Sequence, residues 1–289
     1  MNTTPKDVAR RISKGETWLQ RRAIGTLWRL RNTLPPPSGS GTVLFALPLV
    51  SKARSDDWSR VEANLAQTLA SFRNQTRPDW QAVICGQDRP TLPEDDRITF
   101  LPFDQPDAFF DKGAKMAALA RHALTEGPKE GYYFPFDADD ILHPKVVEHI
   151  LTDDNGAGYF IDKGYMMHAE TGQLAALQPP DARFPEATEF LRSCGSSTAI
   201  RIDRRAGADI GALIAKRGAH RKVPRNMTHF GLHMTPIPFH AALYVVGHGE
   251  NMRKRRGKMD GKLKHLDISP LTGDEADSVR RQFRLGDLA

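Results

Sequence analysis

Between residues 42 and 150, short apolar runs alternate with stretches of helical period, which limits the chain to a small set of α/β architectures. Thr42-Val-Leu-Phe-Ala-Leu-Pro-Leu-Val50 is continuously apolar, the pattern of a strand covered on both faces. Ser55-Asp56-Asp57 can cap a following helix in which Val61, Leu65, Leu69 and Phe72 recur at helical spacing, before Arg77-Pro78 ends it. Trp80 to Cys85 reads as a second strand followed by the loop Gly86 to Pro90, and Arg97 to Leu101 as a third. A helix from Asp111 to Thr125 turns Met116, Leu119, Ala120 and Ala123 inward and stops at Gly127-Pro128. Gly131 to Phe136 is a fourth strand, with Asp137-Ala138-Asp139-Asp140 at its carboxyl end, and His143-Pro144 opens a helix through Ile150. The expected fold is a mostly parallel central sheet with flanking helices, in which ligands bind beyond the carboxyl ends of the strands. Asp88 and the Asp137–Asp140 cluster both lie at such ends.

The second half is less regular. Ile200 to Ile202 and Ala241 to Val246 read as strands, and Asp209 to Lys216 as a helix. The expected division is a basic helix and linker over residues 1–41, a main domain over 42–251 with halves 42–150 and 151–251, and a polar, basic tail over 252–289 with one helix near Asp274–Phe283. No apolar run approaches the length of a membrane span. Two cysteines, Cys85 and Cys194, suffice for neither a disulfide framework nor a tetrahedral thiolate zinc site. The opening MNTTPKDVARRISKGE carries no apolar secretory segment, so the expectation is a soluble, cytoplasmic protein of a reducing compartment.

The net charge of +6 resides entirely in residues 1–34, where eight basic side chains (Lys6, Arg10, Arg11, Lys14, Arg21, Arg22, Arg29 and Arg31) face only Asp7 and Glu16. The rest of the chain is formally neutral, which argues against a nucleic-acid-reading surface on the body. Pro35-Pro36-Pro37-Ser38-Gly39-Ser40-Gly41 separates the two parts. Within the basic segment Ile12, Leu19, Ala23, Leu27 and Leu30 fall near one helical face, widened by Trp18, Ile24 and Trp28. Such a helix either packs its stripe on the body or lies on an anionic membrane from the cytoplasmic side. A second basic run, Arg253 to Lys258, reads as a solvated tail.

Aspartates two apart after a strand can place carboxylate oxygens on a hard divalent cation, Mn²⁺ or Mg²⁺, although loops also use aspartate for turns and helix caps. Rival motifs fail. An EF-hand over Asp137–Glu148 would put Ile141 at an oxygen-ligand position and Leu142 where glycine makes the turn. No glycine-rich dinucleotide fingerprint follows the first strand, and no P-loop is present.

Phe-Ala-Leu-Pro48, Val-Ile-Cys-Gly-Gln-Asp88, Asp111-Lys-Gly-Ala-Lys115 and Tyr-Phe-Pro-Phe-Asp-Ala-Asp-Asp-Ile-Leu-His-Pro144 together resemble the nucleotide-sugar half of a GT-A-fold, family 2-like glycosyltransferase. The similarity covers residues 42–150, with a looser match to about 250. It implies a metal-dependent transfer of sugar from a nucleotide-diphosphate sugar to a saccharide or lipid-linked acceptor, in surface polysaccharide or glycoconjugate synthesis. By the resemblance, Pro48 and Leu49 border the base and Asp88 sits near base or ribose. Asp137 contacts ribose or metal, Asp139 ligates the cation at the diphosphate, and Lys112 and Lys115 face the phosphates. Three features depart from the family pattern: Pro135 inside a central strand, Gly-Gln-Asp at the end of the second strand, and no Glu-Asp pair in residues 205–235 to supply a base.

A base is needed to take the acceptor hydroxyl proton. His220, in Arg-Gly-Ala-His, lies roughly where the family's acidic base falls, and either Glu250 or Asn251 could bind diphosphate or acceptor, with Glu250 a second catalytic candidate. His248, held between Gly247 and Gly249 after a strand, matches a late histidine that such enzymes recruit to the metal, or else marks a tight turn. Cys194-Gly195-Ser196-Ser197 resembles the family's acceptor-side loop. Two other readings stand beside this one. A nucleotidyltransferase would also set Mg²⁺ on paired carboxylates, but Ser51-Lys52-Ala53-Arg54 after the first strand lacks the glycine it favours. An inactive GT-A-like module would bind saccharide or a partner.

Overall fold

Val43 to Leu47, the middle of β1 (Thr42–Pro48), are all buried, as a strand must be when both faces of its sheet are covered. The computed structural model describes residues 18–106, 111–205, 207–250 and 260–287. Side chains of β1 alternate between two cores. Val43, Phe45 and Leu47 join Phe72, Trp80, Phe134 and Phe136 on one face, while Leu44 and Ala46 join Val83, Leu119, Tyr133 and Ile200 on the other. Phe45 stacks on Phe72 with ring centroids 4.0 Å apart.

β1 pairs in parallel with β2 (Trp80–Gly86) and β4 (Glu130–Pro135), and β2 with β3 (Ile98–Pro102). Past β4 the direction changes. β9 (Thr198–Asp203) runs antiparallel to β4 and to β6 (Gly158–Phe160), and β10 (Thr235–Pro236) runs parallel to β6. The seven-stranded order is β10-β6-β9-β4-β1-β2-β3. A second, five-stranded sheet joins β5 (Ile141–Leu142), β7 (Gly164–His168), β8 (Leu174–Leu177), β11 (Ala242–Val246) and β12 (Pro270–Leu271) in the order β12-β8-β7-β11-β5. The architecture is α/β with a large, mostly parallel central sheet flanked by helices, of Rossmann-like form.

The helices that matter below are α1 (Trp18–Arg31), α2 (Trp58–Arg73), α3 (Lys112–Thr125), α4 (Val146–Asp153), α5 (Phe190–Ser193), α6 (Ile210–Lys216), α7 (Val223–Thr228) and α8 (Gly273–Gln282). Asp57 caps α2, its side chain accepting a hydrogen bond from the Arg60 N–H. The helix expected from His143-Pro144 begins later, at Val146. The Pro144 carbonyl accepts a bond from the Thr76 N–H, and Val146 N–H closes a turn onto the His143 carbonyl.

Pro135 costs the sheet nothing. Phe136 donates its N–H to Ala46 of β1, so by alternation the position of Pro135 faces β9, whose pairing with β4 has ended at Tyr133–Ile200. The proline-rich linker is docked rather than free: Arg201 donates to the Pro35 carbonyl, Arg205 to that of Pro36, and Ser38 N–H to Glu130. Residues 260–287, expected as a polar tail, supply β12 and α8 and bury Phe283 beside His143 and Tyr165. Among the described residues no helix is long and apolar enough to cross a membrane.

Candidate metal centre

The carboxyl ends of β1, β2 and β4 lie side by side, and the loops that leave them carry most of the polar groups singled out in the sequence. After β4 the chain turns at Asp137-Ala138-Asp139-Asp140. One carboxylate oxygen from each of Asp137, Asp139 and Asp140 lies within 4.8 Å of the others. Oxygens on opposite sides of a cation bound at 2.0–2.6 Å are roughly 4–5 Å apart, and hard oxygen donors suit Mg²⁺ or Mn²⁺, so the set fits such an ion.

The three aspartates are not equivalent. Asp137 and Asp139 are half-buried, whereas Asp140 is wholly enclosed. One oxygen of Asp140 accepts from Ser196 Oγ at 2.6 Å and from the Cys194 thiol at 3.0 Å, and the other faces the Val245 N–H at 3.3 Å. Burial, reinforced by Asp139 and Asp137, pushes the Asp140 carboxyl well above the usual carboxylate range. Burial likewise pushes the Cys194 thiol up, with Asp140 and Asp137 adding to it. Asp140 therefore holds the turn in place through its own partners, and Asp137 and Asp139 are the two with exposed surface from which to present oxygens.

Ser196 ties both ends of this turn together, since its Oγ also accepts the Asp137 N–H at 2.8 Å. Its neighbour Gly195 lets the loop approach closely: a Cβ there would stand 2.9 Å from Asp137 Oδ2, so a larger residue would push that carboxylate aside. Cys194-Gly195-Ser196-Ser197 thus packs directly on the acidic turn.

His248 is 6% exposed and places Nε2 2.9 Å from Asp139 Oδ2, while Asn64 Nδ2 lies 3.0 Å from Nδ1. An amide N–H donated to Nδ1 leaves the proton on Nε2, aimed at Asp139. His248 accordingly orients the carboxylate from behind, the relation that typically tunes a metal ligand. The Glu250 carboxylate accepts the N–H groups of Asp56 and Asp57 at 2.9 and 2.8 Å, fastening the loop after β11 to the start of α2.

Lys112 and Lys115 separate. The Lys112 ammonium pairs with Asp137 Oδ1 beside the cluster. Burial works against its charge, but Asp137, Asp139 and Asp140 outweigh that and raise its pKa. Lys115 was expected to face phosphates. Its side chain is 1% exposed, bonded to the Leu49 carbonyl at 2.7 Å and the Asp111 carboxylate at 2.8 Å, so it braces the end of β1 from inside. Leu49 is buried and donates its N–H to Cys85, while Pro48 closes β1. Asp88 accepts the Lys52 N–H at 2.7 Å, joining the loops after β2 and β1.

His220 sits in a single turn, residues 220–222, packed beside α5, the helix that leads into Cys194. Asn251 and the basic run from Arg253 lie outside the described residues. One residue that the sequence reading passed over, Arg217, feels the charge of the site without a bond to it among the described residues: burial lowers its pKa, opposed by Tyr133 and Asp137. No regular pattern marks it, because it lies in the break between α6 and the His220 turn. No protein-family model matches the chain, and no curated protein sequence matches it.

Proposed function

We propose that the chain is a metal-dependent glycosyltransferase that moves a sugar from a nucleotide-diphosphate sugar to a saccharide or lipid-linked acceptor, in polysaccharide or glycoconjugate synthesis. The observation that carries this reading is the gathering of Asp137 and Asp139 beyond the carboxyl end of a central parallel strand, their oxygens close enough to share one hard cation.

In this reading Asp137 and Asp139 hold Mn²⁺ or Mg²⁺, which neutralises charge developing on the departing diphosphate. Asp140, locked by Ser196, Cys194 and the Val245 N–H, fixes the turn, and His248 fixes Asp139. Lys112, paired with Asp137, supplies positive charge suited to phosphate oxygens, and Arg217 adds to the positive potential there. Asp88, with Pro48 and Leu49, lines the nucleotide side of the same strand ends. His220, three residues beyond Arg217, is the proposed base for the acceptor hydroxyl.

A second reading, an inactive module that binds a nucleotide sugar or saccharide, draws on Glu250: its carboxylate is committed to two backbone N–H groups, which leaves that acid poorly suited to act as a base. Thermal-shift measurements with nucleoside diphosphates, with and without Mn²⁺, test binding, because a ligand raises apparent stability by mass action. Diphosphate release with an acceptor panel, lost in Asp139→Ala and in chelator, supports the transferase. Mn²⁺-dependent nucleotide binding without release supports the module, and full release in chelator removes the metal from the mechanism.

A further inference from the structure

Helix α1 has two faces, and among the described residues the body covers only one of them. On the docked face Trp28 donates its indole N–H to the Asp209 carbonyl at 2.8 Å and meets Phe230 edge-on, 5.8 Å between centroids. Asn32 accepts the Asp209 N–H at 2.7 Å, and Arg21 donates to the Asn226 side chain at 3.3 Å. Gly25 lies so close to the end of α7 that a Cβ there would meet the His229 carbonyl oxygen at 2.2 Å. These contacts fix the rotation of the helix about its axis.

The same rotation turns leucines outward. Leu19, Leu27 and Leu30 are 69%, 52% and 77% exposed, and Ala23 is exposed with them. At 3.6 residues per turn these four positions form one strip, bordered by Arg22 and Arg29 on one side and Arg31 on the other, all three exposed. The apolar stripe read from the sequence is therefore split: Ile24 and Trp28 pack on the body, and the leucines do not.

We propose that this outer face docks on an anionic lipid surface, the leucines entering the headgroup–acyl boundary and the arginines meeting lipid phosphates. A strip of leucines bordered by arginines on both sides is complementary to a layer that is apolar beneath and negative above. The charge argument points the same way: the whole net excess of +6 lies in residues 1–34, and Lys6, Arg10, Arg11 and Lys14 precede the helix in sequence. Nucleic acid would use the arginines but leave the leucines in water. The inference stands independently of the sugar-transfer reading, since it uses no residue of the acidic site.

Flotation of the full chain with phosphatidylcholine vesicles, with and without phosphatidylglycerol, tests it. The wild type is expected to float with the anionic vesicles and to detach as salt rises. L19S/L27S/L30S, at exposed positions that leave the melting temperature unchanged, is expected to lose about tenfold or more in partitioning. R29Q/R31Q is expected to lose a similar factor on anionic vesicles and little on neutral ones. Failure of the wild type to float, or flotation of the leucine variant equal to wild type, overturns the proposal. So does a concentration-dependent dimer that the leucine variant dissolves while neither protein binds vesicles, which would make this face a contact between two copies of the chain.

Discussion

His248 Nε2 and Asp139 Oδ2 lie 2.9 Å apart, although 109 positions separate the two residues in the chain. With Asn64 on the other ring nitrogen, the imidazole is held on both sides and presents a proton to the carboxylate. A residue in that position acts through the ligand it steadies. His248→Gln is expected to weaken Mn²⁺ binding roughly 10- to 100-fold, measured by isothermal titration. Wild-type affinity in the variant would make the contact merely structural.

The close approach of Gly195 to Asp137 gives a second, steric test. Alanine there would bring its Cβ to 2.9 Å from Asp137 Oδ2, and the carboxylate or the loop has to move. Because the atom in the way is the end of a side chain, the cost to the fold falls at or below the low end of core overpacking, about 1 kcal/mol, and here the moving group is a proposed cation ligand. Gly195→Ala is expected to remain folded by circular dichroism with a lowered melting temperature, and to lose Mn²⁺-dependent stabilisation. Serine at the same position carries the same Cβ and is expected to do the same.

Much of this site was legible because its signals are local. Strand period and a run of acids after β4 were enough to place Asp137 and Asp139 at a strand end. The inward turn of Lys115 was missed: it precedes Leu119 and Ala123 by one and two helical turns on the buried face of α3, but a lysine there resembles a phosphate-facing group, and only the Leu49 carbonyl and Asp111 carboxylate around it make its burial possible. What binds His248 and Glu250 was not: Asn64 and the Asp56–Asp57 amides lie 184 to 194 positions away, and no spacing rule spans such pairings. The second sheet was missed for a related reason. Apart from β11, which the sequence marks as a strand, its members are two to five residues long, too short for a period to register, and they are held by long-range partners.

Two histidines outside the site set an acid limit on stability. Burial, with Lys145 and Arg284 nearby, lowers His143 to about 4, and burial with Lys163 lowers His240 to about 4. His240 lies over Tyr165 with centroids 4.4 Å apart, and its ring nitrogen is 3.0 Å from Gln178 Oε1. In the unfolded chain both titrate near 6.5. Between about pH 6.5 and 4 the unfolded state takes up protons that the folded state refuses, so this contribution is complete above the unfolded value and is lost as the pH falls toward 4. The melting temperature is expected to drop through that window. His143→Phe, facing Phe239 and Phe283, is expected to lose part of the drop, so that the difference from wild type narrows or reverses as pH falls. Parallel curves for the two proteins would exclude His143 from the effect.

Glu250 allows the latch and the base to be told apart with one atom. Its Oε1 accepts both the Asp56 and Asp57 N–H groups, and a glutamine keeps an oxygen able to accept those bonds while losing the capacity to take a proton. If Glu250 serves only to hold the loop after β11 against α2, Glu250→Gln should retain transfer within about threefold, and Glu250→Ala should loosen the loop by about 1 kcal/mol or more through two lost hydrogen bonds. If Glu250 takes the acceptor proton, the glutamine variant should fall by about 10²-fold or more while its melting temperature stays near wild type. Single-turnover rates of both variants, read beside protease susceptibility of the loop, separate the two roles, and the geometry favours the latch.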